Sequence, residues 1–133
     1  MNKSWLIASL LSAFAAVVRT IDGHSGPLAE ARSSALSQQA ITFYHITWYV
    51  LSVFFFVSAV YFFRLARGDI GAASPALANL LAILFFSIAA AIVVCASIFG
   101  WFVAAVMAAI VTSLVGIAAV VGGRSLTKPD GKS

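Results

Sequence analysis

Apolar, uncharged residues fall into long stretches along this chain, and the polar residues collect between them. The first stretch, Trp5 to about Ile21 (WLIASLLSAFAAVVRTI), meets no charge until Arg19. The second, Ala40–Phe63 (AITFYHITWYVLSVFFFVSAVYFF), has aromatic residues at both ends and runs directly into the basic RLAR. From Pro75 to Gly123 no residue is charged. As a single helix that segment would reach about 73 Å, more than twice a hydrocarbon core of about 30 Å, so it must fold back on itself. Within Ser97-Ile98-Phe99-Gly100-Trp101, Gly100 permits a tight turn and the aromatics suit the membrane interface. The pattern predicts four membrane-spanning helices at about 5–21, 40–63, 75–97 and 101–122, in one domain covering residues 1–133.

The polar segments refine this division. Residues 22–39 (DGHSGPLAEARSSALSQQ) contain the turn signals Asp22-Gly23 and Gly26-Pro27. Pro27 at a first helical position, with Glu30 close behind it, predicts a short interfacial helix over about 27–37. Ser74-Pro75 reads as the cap and first residue of the third span. The tail 124–133 (RSLTKPDGKS) is polar and expected to be mobile. Met1–Ser4 followed by an apolar run, with Ala13-Phe14-Ala15, also resembles a cleavable leader, but Ala16-Val17-Val18 carry the run past that point and favour a retained helix.

Composition turns these stretches into a class. Hydrophobic residues make up 62% of the chain and charged residues 9%, with mean hydropathy +1.06. Soluble domains carry roughly 25% charged residues to keep their surface wetted. Eight Lys/Arg and four Asp/Glu cannot coat a globule of 13.9 kDa, so the apolar residues face a lipid bilayer. The net charge of +4 does not indicate nucleic acid, because the basic residues flank spans and form no cluster. Lys3, Arg64, Arg67, Arg124, Lys128 and Lys132 fall on one side of a four-span topology, and only Arg19 and Arg32 on the other. The positive-inside rule then puts both ends in the cytoplasm of a multi-pass inner-membrane protein. Arg19, near the end of the first span, is expected to reach toward headgroups.

Two helix faces are candidate packing surfaces. In the fourth span Ala104, Ala108, Thr112 and Gly116 repeat every four residues, with Ala105, Ala109 and Ser113 beside them. Small side chains allow close backbone approach, which matters where lipid provides little drive for apolar burial. Ser87, Ala91 and Cys95 form a comparable ladder in the third span, and the two faces are expected to meet in a hairpin. The alternative is a surface for a second copy of the chain or a larger membrane complex. The bulky Phe54, Phe55, Phe56, Phe62 and Phe63 of the second span read as lipid-facing or groove-filling. Gln38, Thr42, His45, Tyr49 and Ser52 form one polar helical stripe, expected to face the bundle interior because unpaired polar groups are costly in hydrocarbon.

Candidate chemistry is sparse. His45, inside the second span, and His24, in the first loop, are the histidines, and two imidazoles at similar depth could share a transition metal or a haem iron. The plainer reading gives His45 a hydrogen bond to Tyr49, a first-span serine or a backbone carbonyl, and leaves His24 as a solvated loop residue. Asp22 and Glu30 are expected to solvate their loop or pair with Arg19 or Arg32. The single cysteine, Cys95, excludes an intrachain disulfide. No nucleophile elbow, HExxH or phosphate-binding glycine loop is present. Spans two to four also lack the carboxylate that a proton-coupled transporter uses, so an enzyme is not expected and a small-solute transporter is disfavoured.

His24, Gly26, Pro27 and Leu28, followed by Tyr44-His45 with Thr47 and Trp48, resemble a group of small bacterial inner-membrane proteins with a His-x-Gly-Pro-Leu outer loop and an aromatic-His pair opening the second helix. Where that pattern has Trp before the second histidine, this chain has Tyr44. The resemblance implies a four-helix inner-membrane protein with paired histidines and names no reaction. The expectation is an all-α bundle of four transmembrane helices, non-enzymatic and without an assigned cofactor, that associates with itself or a larger membrane complex. A haem- or metal-binding redox protein using His24 and His45 is the runner-up.

Overall fold

The computed structural model describes residues 2–69, 74–99 and 102–126. Five helices follow one another: α1 (Lys3–Ser25), α2 (Pro27–Ser33), α3 (Gln38–Ala66), α4 (Pro75–Phe99) and α5 (Phe102–Leu126). α1, α3, α4 and α5 have 23, 29, 25 and 25 residues. At 1.5 Å per residue the shortest of them reaches about 35 Å, enough to cross a hydrocarbon core of about 30 Å. All four are apolar enough to do so, and bulky residues such as Phe14, Phe43, Phe56 and Ile83 lie on their outer surfaces. The chain is therefore a multi-pass membrane protein with an all-α bundle of four transmembrane helices. The expected turn at Gly100 and residues 127–133 of the expected mobile tail lie outside the described residues.

Local chemistry sets the helix ends. Asn2 caps α1 by accepting the Ser4 amide at 3.0 Å, and its own N–H donates to the Ala66 carbonyl at 3.0 Å. That second bond ties the start of α1 to the end of α3. Ser37 caps α3 through the Ala40 amide at 3.2 Å. Beyond Ala66 the chain turns through Gly68, whose φ of +80° suits a residue without Cβ. An Arg64–Asp69 ion pair at 2.6 Å spans this turn. Ser74 then opens α4, its hydroxyl accepting the Leu77 amide at 3.3 Å.

Three boundaries depart most from the sequence reading, and at one of them α5 runs on to Leu126, so residues 124–126 of the expected mobile tail are helical. α1 does not stop near Ile21 but continues to Ser25, because Gly23 is a packing position and not a turn. A Cβ there would collide with the Trp48 indole of α3. The reversal falls instead at Gly26, with φ −113° and ψ −102°. α2 ends at Ser33, short of the expected Ser37. The hydroxyls of Ser33 and Ser34 fold back onto the carbonyls of Glu30 and Ala31 at 3.0 and 2.7 Å, offering the backbone an alternative to further helix.

The bundle forms an up-down ring in which α1 lies between α3 and α5, and α5 packs against α4. Trp5 and the last turns of α3 and α5 share one end, here termed the terminal end. The first turn of α3, α2 and the end of α1 share the other, the loop end. Small residues bring α1 close to its neighbours: Ala8, Ser9, Ser12 and Ala16 are buried, and the Ser9 hydroxyl donates to the Ala59 carbonyl at 2.9 Å. Trp5, only 1% exposed, stacks on Phe62 at 5.6 Å between centroids and fills the space left by Gly122. The ring closes between α3 and α4 through side chains, with Phe85 at 5.3, 5.6 and 6.1 Å from Phe54, Phe55 and Phe62. The phenylalanines expected to form one surface are divided by helical period: Phe55 and Phe62 are buried, while Phe56 and Phe63 point outward.

At Gly122 a Cβ would stand 2.5 Å from Cε2 of Trp5, whereas at Gly123 the nearest atom would be 3.7 Å away. Gly122→Ala should therefore destabilise the bundle by about 1–3 kcal/mol, the cost of overpacking, and Gly123→Ala by far less. Chemical unfolding of both variants in one detergent tests this: equal losses would remove the Trp5–Gly122 contact from the account.

Candidate functional site

The polar stripe of α3 divides along its length and does not face the bundle interior throughout as expected. Ser52 is buried, His45 half-buried, and Gln38, Thr42 and Tyr49 are exposed. At the loop end Gln38, Thr42, His45 and Tyr49 line an open groove of about 680 Å³ with Arg32 from α2 and Ile41, Ile46 and Val50 from α3. Part of the reason is that Thr42 and Ser52 settle their hydroxyls on their own helix and need no neighbouring span. The Thr42 hydroxyl donates to the Gln38 carbonyl at 2.9 Å and the Ser52 hydroxyl to the Trp48 carbonyl at 3.1 Å, each one turn back.

His45 sits where α2 meets α3. Its Nδ1 lies 2.8 Å from the Ile41 carbonyl, and its Nε2 lies 3.1 Å from Nε of Arg32. A carbonyl only accepts and a guanidinium only donates, so these partners suit the tautomer with its proton on Nδ1. Of the partners weighed from sequence, the backbone carbonyl is the one taken. Tyr49, one turn deeper, bonds His24 instead, its hydroxyl 3.2 Å from Nδ1. His24 is thus in the last turn of α1, not in a loop.

This arrangement bears on a shared metal or haem. Both nitrogens of His45 are engaged within the chain, and a ligand bond at Nε2 would have to displace Arg32. Among the described residues, no three His, Cys, Asp or Glu side chains gather as a metal-binding group. As it stands, His45 has no free nitrogen to offer a transition metal or a haem iron.

The Arg19 side chain turns toward α3. Its guanidinium lies 4.0 Å from the centroid of the Trp48 ring, and the Trp48 Nε1–H donates to the Arg19 carbonyl at 2.8 Å. Together with Gly23, this clamps the loop end of α1 onto α3. Among the described residues, neither Asp22 nor Glu30 forms an ion pair with Arg19 or Arg32.

The small-residue ladders also separate. In α5, Thr112 and Gly116 are buried, and Gly116 lies against the Phe86 ring of α4. Ala108 is exposed, and the side chain of Ala104 lies outside what is described. A four-residue repeat drifts about 40° per step around a helix of 3.6 residues per turn, so the four positions spread over about 120° and Ala108 falls off the face that packs. The packed face follows Ala109, Thr112, Gly116, Ala119 and Gly123. In α4, Ala78, Ala82, Phe85, Ala89 and Ala96 turn inward. Ser87, Ala91 and Cys95 lie on the opposite, exposed side.

Sequence reasoning missed the buried ladder Ala8, Ser12, Ala16 of α1 and the Arg19–Trp48–Gly23 clamp. The first had a legible signal, the same spacing of four that drew attention to α5. The second had none, since it joins residues 25 or more positions apart.

Comparison with protein-family models, with curated proteins and with solved structures finds no match to this chain.

Trp48→Phe keeps the ring but removes the donor to the Arg19 carbonyl, and should lower stability by about 1 kcal/mol. Gly23→Ala, which drives a methyl group into the indole, should cost more. Unfolding midpoints in detergent measure both, and a Gly23→Ala protein as stable as the parent would show that α1 and α3 do not meet here.

Proposed function

We propose that this chain is a small non-enzymatic protein of the cell inner membrane that associates with a second copy of itself or a larger membrane complex through the outer face of α4. Ser87 carries this reading. It is the middle residue of α4 and therefore lies near mid-depth in a bilayer spanned by that helix. It is exposed, and among the described residues its hydroxyl has no hydrogen-bond partner. By contrast, Thr47 and Ser97 satisfy their hydroxyls on the carbonyl four residues earlier. An unpaired hydroxyl surrounded by hydrocarbon is unfavourable, and a helix docked on this face would satisfy it.

The neighbours of Ser87 favour such docking. Ala91 and Cys95 continue the exposed face toward the loop end with side chains small enough for close helix approach. Leu84, Val94 and Ile98 border it and would pack on an incoming helix. A position with both chain ends cytoplasmic is supported by the weighting of Lys3, Arg64, Arg67 and Arg124 toward the terminal end.

Cys95 supplies the test, being exposed and the sole cysteine of the chain. Mild oxidation of native membranes should give a Cys95-linked dimer or a fixed adduct with a partner. Ala91→Leu should reduce that product about tenfold, the effect of blocking close approach at a cost near 1.4 kcal/mol, while leaving the unfolding midpoint unchanged. Monomer alone under oxidation, with co-purifying proteins identical for the parent and Ala91→Leu, would sink the reading.

A further inference from the structure

The loop-end groove changes character along its length. Arg32, Gln38 and Thr42 line its outer end, His45 and Tyr49 its middle, and Ile46 and Val50 its deeper part. From Gln38 to Val50 the helix rises about 18 Å at 1.5 Å per residue. Centring a hydrocarbon core of about 30 Å on α3 puts Thr42 close to its boundary and Val50 well within it. The outer end thus lies at the level of lipid headgroups and the deeper end among acyl chains.

Two donor groups at the outer end are unspent. Arg32 uses Nε on His45, but among the described residues its terminal nitrogens have no partner, and it pairs with no carboxylate. The Gln38 side-chain amide likewise has no partner among the described residues. His45 holds the Arg32 side chain against α3, so the free guanidinium edge is positioned before any ligand arrives. Arginine presents paired N–H groups in a fork that matches phosphate oxygens. The lining contains no carboxylate, so a headgroup with an ammonium of its own finds no counter-charge in it.

We propose that the groove binds one anionic glycerophospholipid, with its phosphodiester on Arg32 and Gln38 and an acyl chain along Ile46 and Val50. A headgroup of the phosphatidylglycerol type fits the lining better than a choline headgroup. The open side of the groove, where Ile46 and Val50 are exposed, lets the lipid enter from the bilayer.

Native mass spectrometry of the full chain in non-ionic detergent, titrated with dioleoyl phosphatidylglycerol or dioleoyl phosphatidylcholine, tests this. One phosphatidylglycerol should be retained per chain, at least about tenfold more tightly than phosphatidylcholine. Arg32→Gln and Val50→Trp should each weaken retention about tenfold, the first by removing the charge and the second by filling the apolar end. Arg67→Gln, at the opposite end of α3, should leave this tightest site unchanged, and excess inorganic phosphate should not displace the lipid. Val50 is exposed, so Val50→Trp remains informative if Arg32→Gln proves misfolded by size-exclusion chromatography. Unchanged retention in a folded Arg32→Gln protein or in Val50→Trp overturns the proposal, as does equal binding of the two lipids. Displacement by phosphate would mark a free-anion site instead, and loss confined to Arg67→Gln would place the lipid at the other end.

Discussion

Between helices in a bilayer, apolar burial gives little net drive, because lipid tails are as apolar as the side chains they would be exchanged for. What remains is dispersion, which requires dense contact, and dense contact requires backbones that approach closely. In this bundle α1 meets that requirement from both sides. Its buried Ala8, Ser9, Ser12 and Ala16 leave no bulk between it and its neighbours, and Gly23 admits the Trp48 ring at the loop end. At the terminal end Trp5 reverses the arrangement, a large side chain seated where Gly122 of α5 has none. The positions of α3 and α5 both follow from this helix.

The polar groups of the spans near the loop end obey a second constraint, that those within hydrocarbon must find a partner without water. Most are settled within one turn of their own helix. Those that are not bind elements together: the Trp48 indole takes the Arg19 carbonyl, the Tyr49 hydroxyl takes His24, and His45 joins α2 to α3 through Arg32. Histidine is suited to that junction because a neutral ring gives on one nitrogen and receives on the other. The groove owes its positive charge to the fact that His45 accepts from Arg32 without neutralising it.

Much of the architecture was legible in the residue pattern. Runs such as Ala40–Phe63 and the uncharged stretch after Pro75 leave a spanning helix as the only structure able to satisfy the backbone in lipid. Orientation of faces was harder to read, for a physical reason. In water a polar stripe marks the outside, and in lipid it is expected inside, but Thr42, His45 and Ser52 bond to their own backbone and so impose no preference. Spacing by four was also misleading in α5, where Ala108 leaves the face that Thr112 and Gly116 share. Gly23 looked like a turn because glycine serves both turns and close approaches, and only the distant Trp48 decides between them. The exposed side of Ser87, Ala91 and Cys95 became visible once Ala82, Phe85 and Ala89 were seen to occupy the packed side.

The α3–α4 seam differs from the other three contacts in the ring. There the helices are bridged by the ring of Phe85 reaching Phe54, Phe55 and Phe62, not by apposed backbones. The molecule is consequently two antiparallel hairpins, α1 with α3 and α4 with α5, each closely packed within itself. Backbone contact joins them along α1–α5 and aromatic side chains along α3–α4. Rings can slide over one another by rotamer changes that backbone contact forbids, so the two joints are mechanically unequal. The α1–α5 joint is held by apposed backbones, and the phenylalanine seam by side chains that rotamer changes alone can rearrange.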